Sequence, residues 1–238
     1  ARRLLDQVAM PKSVMFENTS ACNLRCISCR RDTVKRLRKR RTMSLDDVRK
    51  VAEDFRRIGV QEITFHNLGE PFLSNRLLDE LTIIRECNPG VRLQVSTNGM
   101  LVDTDRKRQA ALLFDHIQFS LDGIDQETVS RYQRGLDFET VLGNLKNLVA
   151  YRDARNHPRP RIVWKYLLFR WNERREYQLR AIEMAREAGV DELWFEKTVS
   201  PLYGVPWRSH LGFNGDLGVD RGFARHVVFR EEAAGAAA

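Results

Sequence analysis

The 238-residue sequence predicts an α/β fold, because six strand-like segments alternate with helical ones until the pattern stops at Thr198. Strands separated by helices run parallel. Right-handed crossovers curl such a succession into a barrel or a doubly wound sheet. The length suits one domain of this kind. The chain reads as a strand–helix body over 1–197 and an irregular extension over 198–238, broken up by Pro201, Gly204, Pro206, Gly212, Gly215, Gly218 and Gly222.

Each element has its own justification. Val14–Glu17 reads as a short strand leading into a cysteine-rich loop. Ser44 is a plausible N-cap for a helix whose apolar positions, Val48, Val51, Ala52, Phe55 and Ile58, recur at helical spacing until Gly59 ends it. Glu62–His66 is the second strand, and a helix over about 75–86 is stopped by Asn88-Pro89-Gly90. Val91–Ser96 alternates as a strand and turns at Thr97-Asn98-Gly99 before a helix from Asp105 to Phe114. His116–Leu121 is the fourth strand, closed by Asp122-Gly123. Helical stretches follow through the 120s and over 138–151. Arg161–Leu168, a helix over 173–188 and Glu192–Glu196 complete the series, and the segment from Glu232 to Ala238 is expected to be disordered.

Composition is that of a globular protein, with 42% hydrophobic and 30% charged residues. No apolar run approaches the ~20 residues of a membrane span, and the N-terminal residues lack the apolar centre of a signal peptide. Four cysteines, three of them clustered, do not form a disulfide framework, so a reducing, cytoplasmic setting is expected. The net charge of +8 is local: residues 30–41 carry +7 of it. Dense like charge opposes compact packing without an anionic partner. The segment therefore reads either as a solvated loop or as a docking patch for phosphate, which arginine recognises through bidentate contacts.

Cys22, Cys26 and Cys29 lie within eight residues. Such loop-borne spacing suits an iron–sulfur centre. A structural zinc would call for a fourth ligand, and Cys87 is far away in the chain. Three ligands without a fourth suit a centre with one open metal position, although a zinc knuckle or a group of structural thiols has the same residues.

At this point the sequence resembles the radical S-adenosylmethionine (radical SAM) superfamily, whose hallmark is the C-x3-C-x2-C loop. The resemblance covers roughly 14–172 and includes further motifs in order: Gly69-Glu70-Pro71, Ser96-Thr97-Asn98-Gly99, Ser120-Leu121-Asp122-Gly123 and Arg134-Gly135. It implies a partial (β/α)6 barrel with a short C-terminal extension. It also implies a [4Fe–4S] cluster on Cys22, Cys26 and Cys29, and S-adenosylmethionine held by Gly69, Glu70, Ser96, Asn98, Ser120, Asp122 and Arg134. In the family the Glu-bearing loop meets the methionyl amino group and the arginine its carboxylate; Arg131 is the alternative arginine. Two positions depart from the pattern: Leu68 replaces a glycine, and Ser28 replaces the aromatic that often precedes the third cysteine. Cys87 is expected at the opposite face of the barrel as an inert thiol, and His66 as a structural histidine near the mouth.

The implied chemistry is hydrogen abstraction by a 5′-deoxyadenosyl radical. The substrate expected is a small molecule, a sugar or natural-product intermediate with an anionic or phosphate-bearing group, undergoing epimerisation, dehydrogenation or rearrangement. Flavodoxin or ferredoxin is the implied electron donor. The rival readings are radical modification of a peptide or RNA, and a zinc- or nucleic-acid-binding module built on the basic segment. Nucleic acid is not the expected partner, because no RNA-binding motif is present and no aromatics are interleaved with the arginines.

Overall fold

The computed structural model describes residues 10–34, 41–213 and 224–231. Among them runs one seven-stranded sheet whose strand order equals chain order. The strands are β1 Ser13–Met15, β2 Glu62–Thr64, β3 Arg92–Thr97, β4 His116–Ser120, β5 Arg161–Leu168, β6 Glu192–Lys197 and β7 Ala224–Val228. β1 to β6 are parallel, and β7 is antiparallel to β6. A doubly wound sheet reverses its strand order at a switch point. No reversal occurs here, so right-handed crossovers lay the helices along one face of an open, barrel-type sheet.

The helices are α1 Arg31–Val34, α2 Leu45–Ile58, α3 Leu77–Cys87, α4 Asp105–Ala111, α5 Gln126–Ser130, α6 Phe138–Asp153, α7 Arg175–Ala188 and α8 Trp207–His210. Their ends follow local chemistry. Ser44 Oγ accepts the Asp47 N–H at the start of α2, and Gly59 ends that helix at φ 73°, a left-handed conformation that glycine adopts freely. Asp125 forms a capping box with Thr128 on α5.

The two faces of the sheet differ in chemistry because side chains alternate along each strand. One face carries Ile63, Leu93, Val95, Ile117, Phe119, Trp164, Tyr166, Leu193 and Phe195, packed in the core with helix residues such as Ala52, Leu81, Leu145 and Ala185. The other face carries Thr64, Gln94, Ser96, Gln118, Ser120, Lys165, Trp194 and Glu196, all half-buried. Register aligns these polar positions: Gln94 lies beside Thr64, Ser96 beside Gln118, and Ser120 beside Lys165. The concave face is therefore a polar cleft.

The residues after Thr198 are not irregular throughout. They hold a short 3-10 turn, α8, and β7, which extends the same sheet. β7 gives no apolar alternation because it is an edge strand with half-exposed and exposed positions. His226 stacks on Trp194 at 4.3 Å and 11°. The C-terminal segment expected to be disordered lies outside the described residues from 232 onward, as do residues 35–40 of the basic segment. Among the described residues no helix is long and apolar enough to cross a membrane.

Candidate functional site

All parallel strands end on one edge of the sheet, where parallel α/β proteins build their sites. The cysteine loop follows β1 and lies across this edge. Its backbone pairs with the segment after α5: Arg25 N–H donates to Arg134 O (3.0 Å) and Ile27 N–H to Tyr132 O (2.9 Å). Asn98, at the end of β3, reaches the same loop, with Nδ2 at 2.8 Å from Asn23 Oδ1 and 3.9 Å from Cys22 Sγ. The sequence motifs after β1, β3 and β4 thus converge on one loop.

The loop after β2 locks the approach to the cysteines. Glu17 Oε1 accepts the N–H groups of Leu68 and Gly69, both at 2.9 Å, and Glu70 N–H donates to Ala21 O at 2.7 Å. A Cβ on Gly69 would lie 1.7 Å from the Thr19 carbonyl oxygen, so the two backbones approach closer than any side chain permits. The Glu70 carboxylate is buried and accepts from Thr97 Oγ1 (2.7 Å), Asn98 N–H (2.8 Å) and Phe72 N–H (3.1 Å). Burial pushes its pKa up against these three donors. Both oxygens are thus engaged within the protein, tying the β2 loop to the end of β3.

Asp122 is likewise buried. It accepts the Leu167 N–H at 2.8 Å, and its own backbone bonds Gln133 and Asn172. Burial pushes its pKa up to about 7. Gln133 also donates to Ser120 O (2.9 Å), so one side chain fastens the Arg134 segment to the end of β4. The Ser96 and Ser120 hydroxyls meet at 3.0 Å on the cleft face. Arg134 is exposed and lines a cavity of about 620 Å³ with Asn23, Cys26, Ser28, Cys29 and Tyr203. Arg131 instead turns outward to Glu127 at 2.5 Å.

His66 Nδ1 accepts the Ser96 N–H at 3.0 Å, which leaves the ring proton on Nε2. Burial, with Lys165 nearby, lowers its pKa to about 4, so the ring is neutral near pH 7. Lys165 pairs with Glu196 at 2.8 Å across β5 and β6 on the cleft face.

The cysteines are free and half-buried. Burial raises the Cys22 thiol, and it pushes Cys26 up to about 12 with help from Asp122 and the other two thiols. The described residues contain no group of three or more His, Cys, Asp or Glu arranged to hold one metal ion. Three free thiols on one loop are a donor set of the kind that holds an iron–sulfur cluster. Cys87 ends α3 ahead of β3, at the opposite end of the strands.

Several residues of this site escaped sequence reasoning: Glu17, Arg31, Gln133, Lys165, Glu196 and Tyr203. The polar positions within otherwise apolar β5 and β6 were the available signal for Lys165 and Glu196. Glu17, Arg31, Gln133 and Tyr203 act through loop geometry that no local pattern announces. The basic segment begins at Arg30 beside the cysteine loop and returns to it, because Arg41 exchanges hydrogen bonds with Ser20.

A family profile described as the Radical SAM superfamily matches residues 17–154. The GTP 3′,8-cyclase of Cronobacter sakazakii is 28% identical over 199 residues, covering 76% of this chain and 57% of the relative. This chain therefore spans little more than half of that protein. Among solved structures, native anSMEcpe with bound AdoMet and the Cp18Cys peptide has a TM-score of 0.62 at 17% identity, covering 89% of this chain and 62% of its own. The FeFe-hydrogenase maturase HydG from Carboxydothermus hydrogenoformans gives 0.52 at 16% identity, covering 74% and 40%. These two likenesses are of fold.

Proposed function

Because the chain belongs to the radical SAM superfamily, whose enzymes use a [4Fe–4S] cluster and S-adenosylmethionine, we propose that it abstracts hydrogen from a small, polar, anionic substrate in the cleft. When bound, the cluster and S-adenosylmethionine together supply a 5′-deoxyadenosyl radical as the abstracting species. The observation that carries this reading is the convergence on one loop: the segment bearing the three thiols is pinned by backbone pairing of Arg25 and Ile27 to Arg134 and Tyr132, and Asn98 from the end of β3 reaches Cys22 Sγ.

In this reading Cys22, Cys26 and Cys29 hold the cluster, and loading releases thiol protons. Arg134 offers its planar fork to the methionyl carboxylate. Ser96 and Ser120 present hydroxyls to the cofactor. Gly69, Glu70, Asn98 and Asp122 hold the strand ends in place around it. The uncharged His66 ring presents a donor at Nε2. Lys165 and Glu196, with Gln94 and Gln118, give the cleft wall both donors and acceptors, which suits a sugar-like or nucleotide-linked substrate. The basic segment supports an anionic group on that substrate, in keeping with a relative whose name specifies GTP. The electron comes from a flavodoxin or ferredoxin, and the setting is the reducing cytoplasm.

The test is anaerobic reconstitution, which should yield about four iron per chain, the content of one [4Fe–4S] cluster. Added S-adenosylmethionine and reductant should then give 5′-deoxyadenosine, and screening of phosphate-bearing candidates should find one whose deuterium is transferred. Single Cys→Ala changes at positions 22, 26 and 29 should abolish 5′-deoxyadenosine formation, whereas Cys87→Ala should not. A colourless zinc protein refutes the reading.

A further inference from the structure

Arg31 belongs in sequence to the basic segment that begins at Arg30, yet in the fold it is buried. It lies directly after the cysteine loop, in the first turn of α1, and is only 5% exposed. Its Nη1 donates to Cys22 O at 2.9 Å and its Nη2 to Leu24 O at 2.8 Å. The two carbonyls flank Asn23, so the fork spans the first turn of the loop. Buried guanidinium groups are rare unless their donors are used. Here one N–H of each terminal nitrogen goes to the backbone on either side of Asn23, next to the first cysteine.

We propose that Arg31 is a positioning residue for the cluster: its guanidinium latches the Cys22–Leu24 turn in ligating shape, and its fixed charge beside the loop favours the reduced cluster. This rests on the cluster reading above. The latch follows from geometry. A planar fork satisfies two carbonyls at a fixed separation, which a lysine ammonium on a flexible stem does not reproduce. The charge effect follows from sign. Reduction adds one negative charge to the cluster, and a cation held in a partly desolvated site stabilises that form more than the oxidised one.

The experiment compares reconstituted parent, Arg31→Gln, Arg31→Lys and Cys22→Ala. Iron content, the rate of cluster loss to a chelator, and the midpoint potential by EPR-monitored reductive titration are measured for each. A melt of each apo-protein checks the fold. Arg31→Gln should lose its cluster at least tenfold faster than the parent. At a given potential its reduced-to-oxidised ratio should fall about tenfold, which is a shift of about 59 mV to lower potential for one electron. Arg31→Lys should recover the potential but still lose its cluster quickly, which separates charge from fork. Parent-like retention and potential in Arg31→Gln overturn the proposal. If Arg31→Gln fails to fold, parent-like retention in Arg31→Lys overturns it. Failure of the parent itself to take up iron, with Cys22→Ala behaving identically, refutes the cluster reading instead.

Discussion

Gly69→Ala should be among the most disruptive small changes in the chain. The added methyl would sit 1.7 Å from the Thr19 carbonyl oxygen and 2.8 Å from its carbon, so one backbone must retreat by more than an ångström. That retreat breaks the Glu70 N–H bond to Ala21 O and at least one of the N–H bonds to Glu17. A neutral hydrogen bond contributes about 1 kcal/mol and one to a charged group about 1.5–3 kcal/mol, so the expected loss is about 4 kcal/mol once strain is included. For a chain of this size that is roughly 8–16 °C in melting temperature. The iron content after reconstitution should fall with it, because the displaced segment leads directly into Cys22. The control is the same substitution at Gly143, inside α6, where an added Cβ meets nothing within 4 Å. Gly143→Ala should stabilise the protein by about 0.5–1 kcal/mol through helix propensity and lost unfolded-state freedom. Thermal melts of both apo-proteins decide the matter. A Gly69→Ala protein that melts with the parent and binds full iron would refute the packing argument.

Three further perturbations have definite outcomes. Burial, then Lys165, depresses the His66 pKa to about 4 from 6.5, so its contribution is intact above pH 6.5 and is lost as pH falls through 4. At about 1.4 kcal/mol per unit, less some solvent screening, this makes the parent about 2 kcal/mol more acid-sensitive between pH 6.5 and 4 than His66→Gln; parallel pH–stability curves would contradict it. Arg134→Ala should weaken S-adenosylmethionine binding tenfold or more in equilibrium dialysis with iron content unchanged, while Arg131→Ala should not, since Arg131 is spent on Glu127; the reverse pattern assigns the role to Arg131. Arg152→Ala removes the nearest cation from the buried Asp191 carboxylate, leaving it the Ile162 N–H and the more distant Arg230 at 3.9 Å, and should cost about 3 kcal/mol in urea unfolding without altering iron uptake; a cost under about 1 kcal/mol would show that Arg230 or water replaces Arg152.

The six parallel strands were legible because each carries β-branched or aromatic residues between strong helix caps and stops, such as Ser44, Gly59 and Asn88-Pro89-Gly90. The open-barrel order was legible only through resemblance, because local patterns do not distinguish a sheet that keeps its strand order from one that reverses it. β7 escaped because an exposed edge strand has no face to bury and so no alternation to display. In the site, the thiols and the strand-end motifs were readable as spacing. The destination of the carboxylates was not. Glu70 and Asp122 look like ligand contacts in sequence, and the structure turns both inward onto backbone N–H groups, a matter of tertiary placement. Arg31 shows the same limit: in sequence it is one of a run of like charges, and in the fold it is buried against the cysteine loop.

The pairing of Arg25 with Arg134 and of Ile27 with Tyr132 also sets an order of events during synthesis. Because sheet order equals chain order, the early strands can assemble as they leave the ribosome. The cysteine loop, however, waits for a backbone partner about 100 residues behind it, or roughly 5–20 s at ordinary elongation rates. During that interval its thiols are accessible to oxidants and stray metals. The local fork from Arg31 is available almost as soon as the loop itself, so the nascent chain has one restraint on its cysteines long before it has the others.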